Sequence, residues 1–111
     1  MQLPDFIMSL PALDLPIPED VVETHAMRSD NRLTAFFIFH QDFELPPHSH
    51  KGQWGTILAG EAEFTIGGVV STFRPGDSYD LPSGVEHSGR FKAGTIAFDV
   101  WEEPDRYQLK S

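Results

Sequence analysis

Residues 61–87 read EAEFTIGGVVSTFRPGDSYDLPSGVEH, and the fold class follows from this stretch. Ala62, Phe64 and Ile66 alternate with Glu61, Glu63 and Thr65, the period of two that a half-buried strand requires. Gly67-Gly68 follows, and two successive glycines supply the positive φ angles of a tight hairpin turn. Val69–Arg74 then pairs back, Pro75-Gly76-Asp77 turns, Ser78–Leu81 is a short strand and Pro82-Ser83-Gly84 turns again. The pattern continues outward. Leu33–His40 (LTAFFIFH) is apolar almost throughout and too short for a typical helix, Trp54–Ala59 ends at Gly60, and Gly94–Trp101 is the last strand. No stretch keeps a helical period, so the chain is expected to be all-β, a small barrel or sandwich.

The 111 residues suffice for one domain with one core. A composition of 40% hydrophobic and 23% charged residues is that of a soluble globular chain rather than a disordered one. Seventeen acidic residues against eight basic ones give a formal charge of −9, a field that repels polyanions and excludes nucleic acid as a partner. No apolar run approaches the ~18 residues of a membrane span, so no membrane partner is expected. The absence of cysteine excludes disulfides, thiolate metal sites and a cysteine nucleophile, and is compatible with the cytoplasmic location expected here. The N-terminus lacks Lys and Arg and is broken by Pro4 and Pro11, unlike a secretory signal. Residues 1–20 also contain Pro16 and Pro18, which predict an extended course, yet carry Leu3, Phe6, Ile7, Leu10, Leu13 and Leu15. This segment is expected to lie on the outside of the barrel or across a partner subunit, with residues 21–111 forming the barrel.

The chemistry resides in the histidines. His48 and His50, in Pro46-Pro47-His48-Ser49-His50, share a face of an extended segment with Cα atoms roughly 6.5–7 Å apart. Two ring nitrogens so placed can converge on one cation at roughly 2.0–2.1 Å. His87 follows a Pro-x-Gly turn and is expected to add a third nitrogen from across the barrel. Gln53 lies three residues after His50, the wrong parity for an unbroken strand, which a turn at Gly52 would restore. His25 and His40 have no such context and read as ordinary.

These segments resemble the two motifs of the cupins. His48-Ser49-His50-Lys51-Gly52-Gln53, six further residues and Gly60 are similar to the first motif, H-x-H, three or four residues, Glu, six residues, Gly. Gly76-Asp77-Ser78-Tyr79-Asp80-Leu81-Pro82-Ser83-Gly84-Val85-Glu86-His87 is similar to the second, Gly, five residues, Pro-x-Gly, two residues, His. Gln53 replaces the usual Glu and stands closer to His50, and Phe91 occupies the place of a usual Asn. The resemblance implies a double-stranded β-helix, a jelly-roll barrel of two antiparallel sheets. It also implies one divalent metal held by His48, His50 and His87, with Gln53 as the fourth ligand. Such ligands suit Zn, Ni, Fe, Mn or Cu. All four are neutral, so the ion keeps its full charge and acts as a strong Lewis acid, which favours isomerisation, hydration or ring opening.

In the last strand Thr95, Ala97, Asp99 and Trp101 share one face, and Ile96, Phe98 and Val100 the other. Hydrophobicity alone turns the second face inward and leaves Asp99 solvated. If the first face lines the cavity, Asp99 becomes a buried carboxylate for proton transfer, Trp101 a pocket wall and Arg106 a fork for a substrate carboxylate. The run Phe36–Phe39 is apolar on both faces and suggests cover by a second subunit, hence a homodimer. Glu102-Glu103-Pro104-Asp105 reads as a solvated acidic exit from the barrel. The set His48, His50, Gln53, His87, Asp99, Trp101 and Arg106 also resembles the cupins that open unsaturated monouronates in pectin and alginate breakdown. That implies a small oxygenated substrate such as a sugar acid. A metal-dependent dioxygenase and a non-catalytic small-molecule binding or sensing module are the alternatives.

Overall fold

A computed structural model of the chain describes residues 1–110; Ser111, the last residue of the expected barrel unit, lies outside them. One helical turn, α1 (Asp5–Met8), precedes nine strands: β1 (Val22–Arg28), β2 (Leu33–Phe39), β3 (Phe43–His48), β4 (Gln53–Ala59), β5 (Ala62–Ile66), β6 (Val69–Phe73), β7 (Ser78–Leu81), β8 (His87–Phe91) and β9 (Ile96–Trp101). The strands form two antiparallel sheets, one ordered β1-β2-β9-β4-β7 and the other β3-β8-β5-β6. Only β1–β2 and β5–β6 are joined as hairpins within a sheet; every other connection crosses to the opposite sheet. This alternation is the expected jelly roll. At the β5–β6 turn Gly67 and Gly68 take φ angles of 54° and 83°, the left-handed values their lack of a Cβ permits.

β1 and β3 occupy sheet edges, which explains their composition. β3 contains Pro46 and Pro47, tolerable only where a missing N–H faces no partner strand. Between the sheets the core is aromatic. Phe39 of one sheet stacks on Phe91 of the other, with centroids 4.2 Å apart and planes 5° from parallel. Phe64 meets Phe91 edge-on at 5.4 Å and packs on Tyr79 at 4.4 Å. Each such ring contributes about 1.5–3 kcal/mol by burial.

The N-terminal segment departs from a wholly extended course at Asp5–Met8. Pro4 stands just before the turn, where its missing N–H costs nothing, its carbonyl accepts from Ile7 and Met8 N–H, and the Ser9 hydroxyl donates to Phe6 O. Beyond it, Ala12–Asp14 runs antiparallel to Gln108–Lys110, with Asp14 N–H on Gln108 O at 2.7 Å and Lys110 N–H on Ala12 O at 2.8 Å. Leu13 is buried with Ala26, Leu33, Ala35 and Trp101, so the strap closes one end of the barrel. His25 sits beneath it, with Nδ1 on Leu10 O and Nε2 on Glu23, which His40 also meets. On the outer face of the five-stranded sheet, Phe36 and Phe98 lie 4.7 Å apart beside Ile38, Val100 and the exposed Trp54.

Candidate metal centre

His48 ends β3 and His87 begins β8, and the two are direct partners across that strand pair. His87 therefore arrives from the neighbouring strand of the same sheet, not from across the barrel as expected. His50 lies two residues past β3, before a bend at Lys51. Ring centroids of the three imidazoles are 4.3 to 5.2 Å apart, and one nitrogen from each lies within 4.8 Å of the others.

The remaining ring nitrogens determine the chemistry. Nδ1 of His48 meets Pro46 O at 2.9 Å, that of His50 meets Lys51 O at 2.5 Å, and that of His87 meets Val85 O at 3.2 Å. A carbonyl oxygen only accepts, so each Nδ1 must donate. In the neutral ring the lone pair is then on Nε2. His87 Nε2 is buried with no hydrogen-bond partner among the described residues, a costly state unless another ligand meets it. Burial holds the His87 and His50 pKa values below the usual 6.5, against the raising effect of their carbonyl contacts; nearby Arg106 adds to the lowering. Three neutral nitrogens with fixed tautomers fit a divalent transition metal.

On the opposite sheet, Gln53 opens β4 after the bend, which restores the parity the sequence lacked. Gln53 Nε2 donates to Asp99 Oδ1 at 3.0 Å, and Tyr79 Oη donates to the same oxygen at 2.6 Å. Oδ2 accepts no hydrogen bond among the described residues. Asp99 is buried, so the Ala97, Asp99 and Trp101 face of β9 points inward, against the ordering that hydrophobicity favours. Burial raises the Asp99 pKa to about 6, although both hydrogen bonds pull it down. A Cβ at Gly55 would collide with Asp99 Oδ1 and the Tyr79 ring, so glycine lets the three groups meet.

Trp101 is buried, lines the cavity and stands edge-to-face on Tyr107 at 5.6 Å. The Arg106 guanidinium lies over the Tyr107 ring, 4.7 Å from its centroid, and its buried Nε has no partner among the described residues. Glu102 and Glu103 are not merely a solvated exit: their carboxylates accept from the Gly52 and Lys51 N–H groups and clamp the bend between His50 and Gln53. Tyr79 and the strap residues Leu15 and Ile17 also line the site. For Tyr79 the sequence held a signal, since alternation in Ser78–Leu81 places Tyr79 beside buried Leu81 and a buried hydroxyl needs an acceptor.

A sequence profile described as "Cupin domain" matches residues 35–100, more than half of the chain, and the protein belongs to that family. Among solved structures, KdgF from Halomonas sp. aligns with a TM-score of 0.72 and 17% identity over 84% of this chain and 87% of its own. An RmlC-like cupin from Shewanella frigidimarina aligns with a TM-score of 0.73 and 20% identity over 86% of each chain. Oxalate decarboxylase from Bacillus subtilis, a protein with Mn(II) centres, gives 0.71 and 20% identity over 89% of this chain but 28% of its own. At these identities the likeness is one of fold. No curated protein matches the sequence. No helix among the described residues is long and apolar enough to cross a membrane.

Imidazole ligation predicts an acid-labile centre. Metal bound to the purified protein should be released as the pH falls below about 6, and His87→Ala should bind none at neutral pH. Metal analysis after dialysis reads both, and retention at a pH of about 4.5 would exclude the three imidazoles as ligands.

Proposed function

We propose that this protein is a metal-dependent enzyme that moves a proton on a small oxygenated acid, in an isomerisation or ring-opening reaction. One observation carries the reading: three imidazole nitrogens converge while their Nδ1 protons are committed to carbonyls, and the buried His87 Nε2 has no hydrogen-bond partner among the described residues. His48, His50 and His87 would hold one divalent ion (Zn, Ni, Fe, Mn or Cu), with Gln53 Oε1 completing the set. Such an ion supplies Lewis-acid polarisation of a substrate oxygen, undiminished by any carboxylate ligand.

The chain's own residues supply the rest. A guanidinium beside a divalent cation is favourable only with an anion between them, so Arg106 holds the substrate carboxylate, its plane kept by Tyr107. Asp99 takes and returns the proton through Oδ2, while Tyr79 and Gln53 hold Oδ1. A carboxyl with a pKa of about 6 is matched to a base working near neutrality. Trp101 walls the pocket beside Tyr107. The resemblance to the uronate-opening cupins supports the head group alone, a carboxylate beside an oxygenated carbon, which sugar acids share with other small oxo acids.

The homodimer belongs to the same reading. Phe36, Ile38, Phe98, Val100 and Trp54 form a strip without charge, where two copies, each at −9, can meet with least repulsion. Light scattering should show a dimer that Phe98→Lys converts to monomer; a wild-type monomer would remove the partner copy from the account.

The catalytic claim is tested by solvent deuterium exchange at the carbon beside the carbonyl of 2-oxobutanoate. Asp99→Asn should keep its metal and lose about 100-fold or more in exchange rate. Equal rates in the two proteins would contradict the role of Asp99, and dioxygen uptake by the Fe(II)-loaded protein would indicate a dioxygenase instead.

A further inference from the structure

Behind the imidazoles lies a cavity of about 80 Å³. Its polar side chains include His48, His87, Gln53, Tyr79 and Asp99, and Gln53 and Tyr79 already donate to Asp99 Oδ1. Much of its remaining wall is hydrocarbon: Ile17, Phe39, Phe43, Leu45, Phe64 and Phe91 offer neither hydroxyl, amide nor charge. Trp101 and Tyr107, crossed edge to face, complete it. From this lining we infer that the substrate is a short-chain oxo acid whose far end is hydrocarbon, with its carboxylate and carbonyl at the imidazoles and Arg106 and its tail in the cavity.

Size and polarity lead to the same class. A cavity of roughly 150 Å³ takes a benzene ring, so this one has room for roughly three carbon atoms. A sugar ring is larger, and with Asp99 Oδ2 reserved for the proton in transit most of its hydroxyls would be buried against phenylalanine and aliphatic side chains with nothing to bond. Each buried hydroxyl without a partner costs about tenfold in affinity or more, whereas a methyl group in the same place gains from leaving water. The cavity thus narrows the small oxygenated acids to those with an apolar tail and excludes polyhydroxylated ones.

The inference rests on the reading that a metal occupies the three-histidine centre, and its test separates the two. The full-length protein is loaded with Co(II), and its visible absorption is titrated with 2-oxopentanoate and with 4-hydroxy-2-oxobutanoate. These acids share a head group and differ only in a terminal methyl or hydroxyl. The account expects 2-oxopentanoate to bind about tenfold tighter. Ile17→Ser, which puts a hydroxyl into the wall from a residue outside the strands, should shrink that preference to about threefold. Equal or tighter binding of the hydroxy acid, or a Co(II) spectrum that neither acid perturbs, would overturn the inference while leaving the metal site standing. Failure to take up Co(II) at all would bring down the metal reading and this inference with it.

Discussion

The imidazoles of His48, His50 and His87 each give an Nδ1 proton to a backbone carbonyl, and the rest of the site depends on that arrangement. It fixes the tautomer, leaves the lone pairs on Nε2, and aims rings from two adjacent strands and one bend at a common point. The jelly roll makes it possible by pairing His48 directly with His87 across β3 and β8. The bend bearing His50 is held in turn by carboxylates of Glu102 and Glu103, just beyond β9. Burial then holds His50 and His87 neutral near pH 7, the form with a lone pair to offer.

Asp99 ties together the contributions of three neighbouring strands of one sheet, β9, β4 and β7. The residue at position 53 must donate to Asp99 Oδ1, and an ionised Glu there would set two acceptors face to face. Glutamine is thus the side chain that can satisfy Asp99 with its nitrogen and still present an oxygen. A neutral amide at position 53 and a buried carboxylate at position 99 are two sides of one constraint, and Gly55 leaves the space in which Asp99 meets Tyr79.

Much of this was legible in the sequence. The alternation of Glu61–Ile66 and the Gly67-Gly68 turn specify a hairpin from local rules, and the Pro82-Ser83-Gly84 turn places His87 at a strand boundary. Other parts depend on tertiary contacts. β3 is masked by Pro46 and Pro47, which only an edge position tolerates, and β1 carries Glu23, His25 and Arg28 on another edge. The face of β9 was ambiguous because Ile96, Phe98 and Val100 are more apolar than Ala97, Asp99 and Trp101. The cavity takes the second set, whose carboxylate finds donors on β4 and β7, and Phe98 and Val100 remain on the outer face. That the strap would pack on the barrel through Leu13 rests on pairing with Gln108–Lys110, far away in the chain.

Anomalous diffraction from a crystal of the Ni(II)-loaded protein tests the central claim most directly. The account predicts one peak among His48, His50 and His87, with Nε2 atoms at about 2.0–2.1 Å from it. A peak elsewhere, or rings that bind the ion through Nδ1 after abandoning their carbonyls, would contradict it.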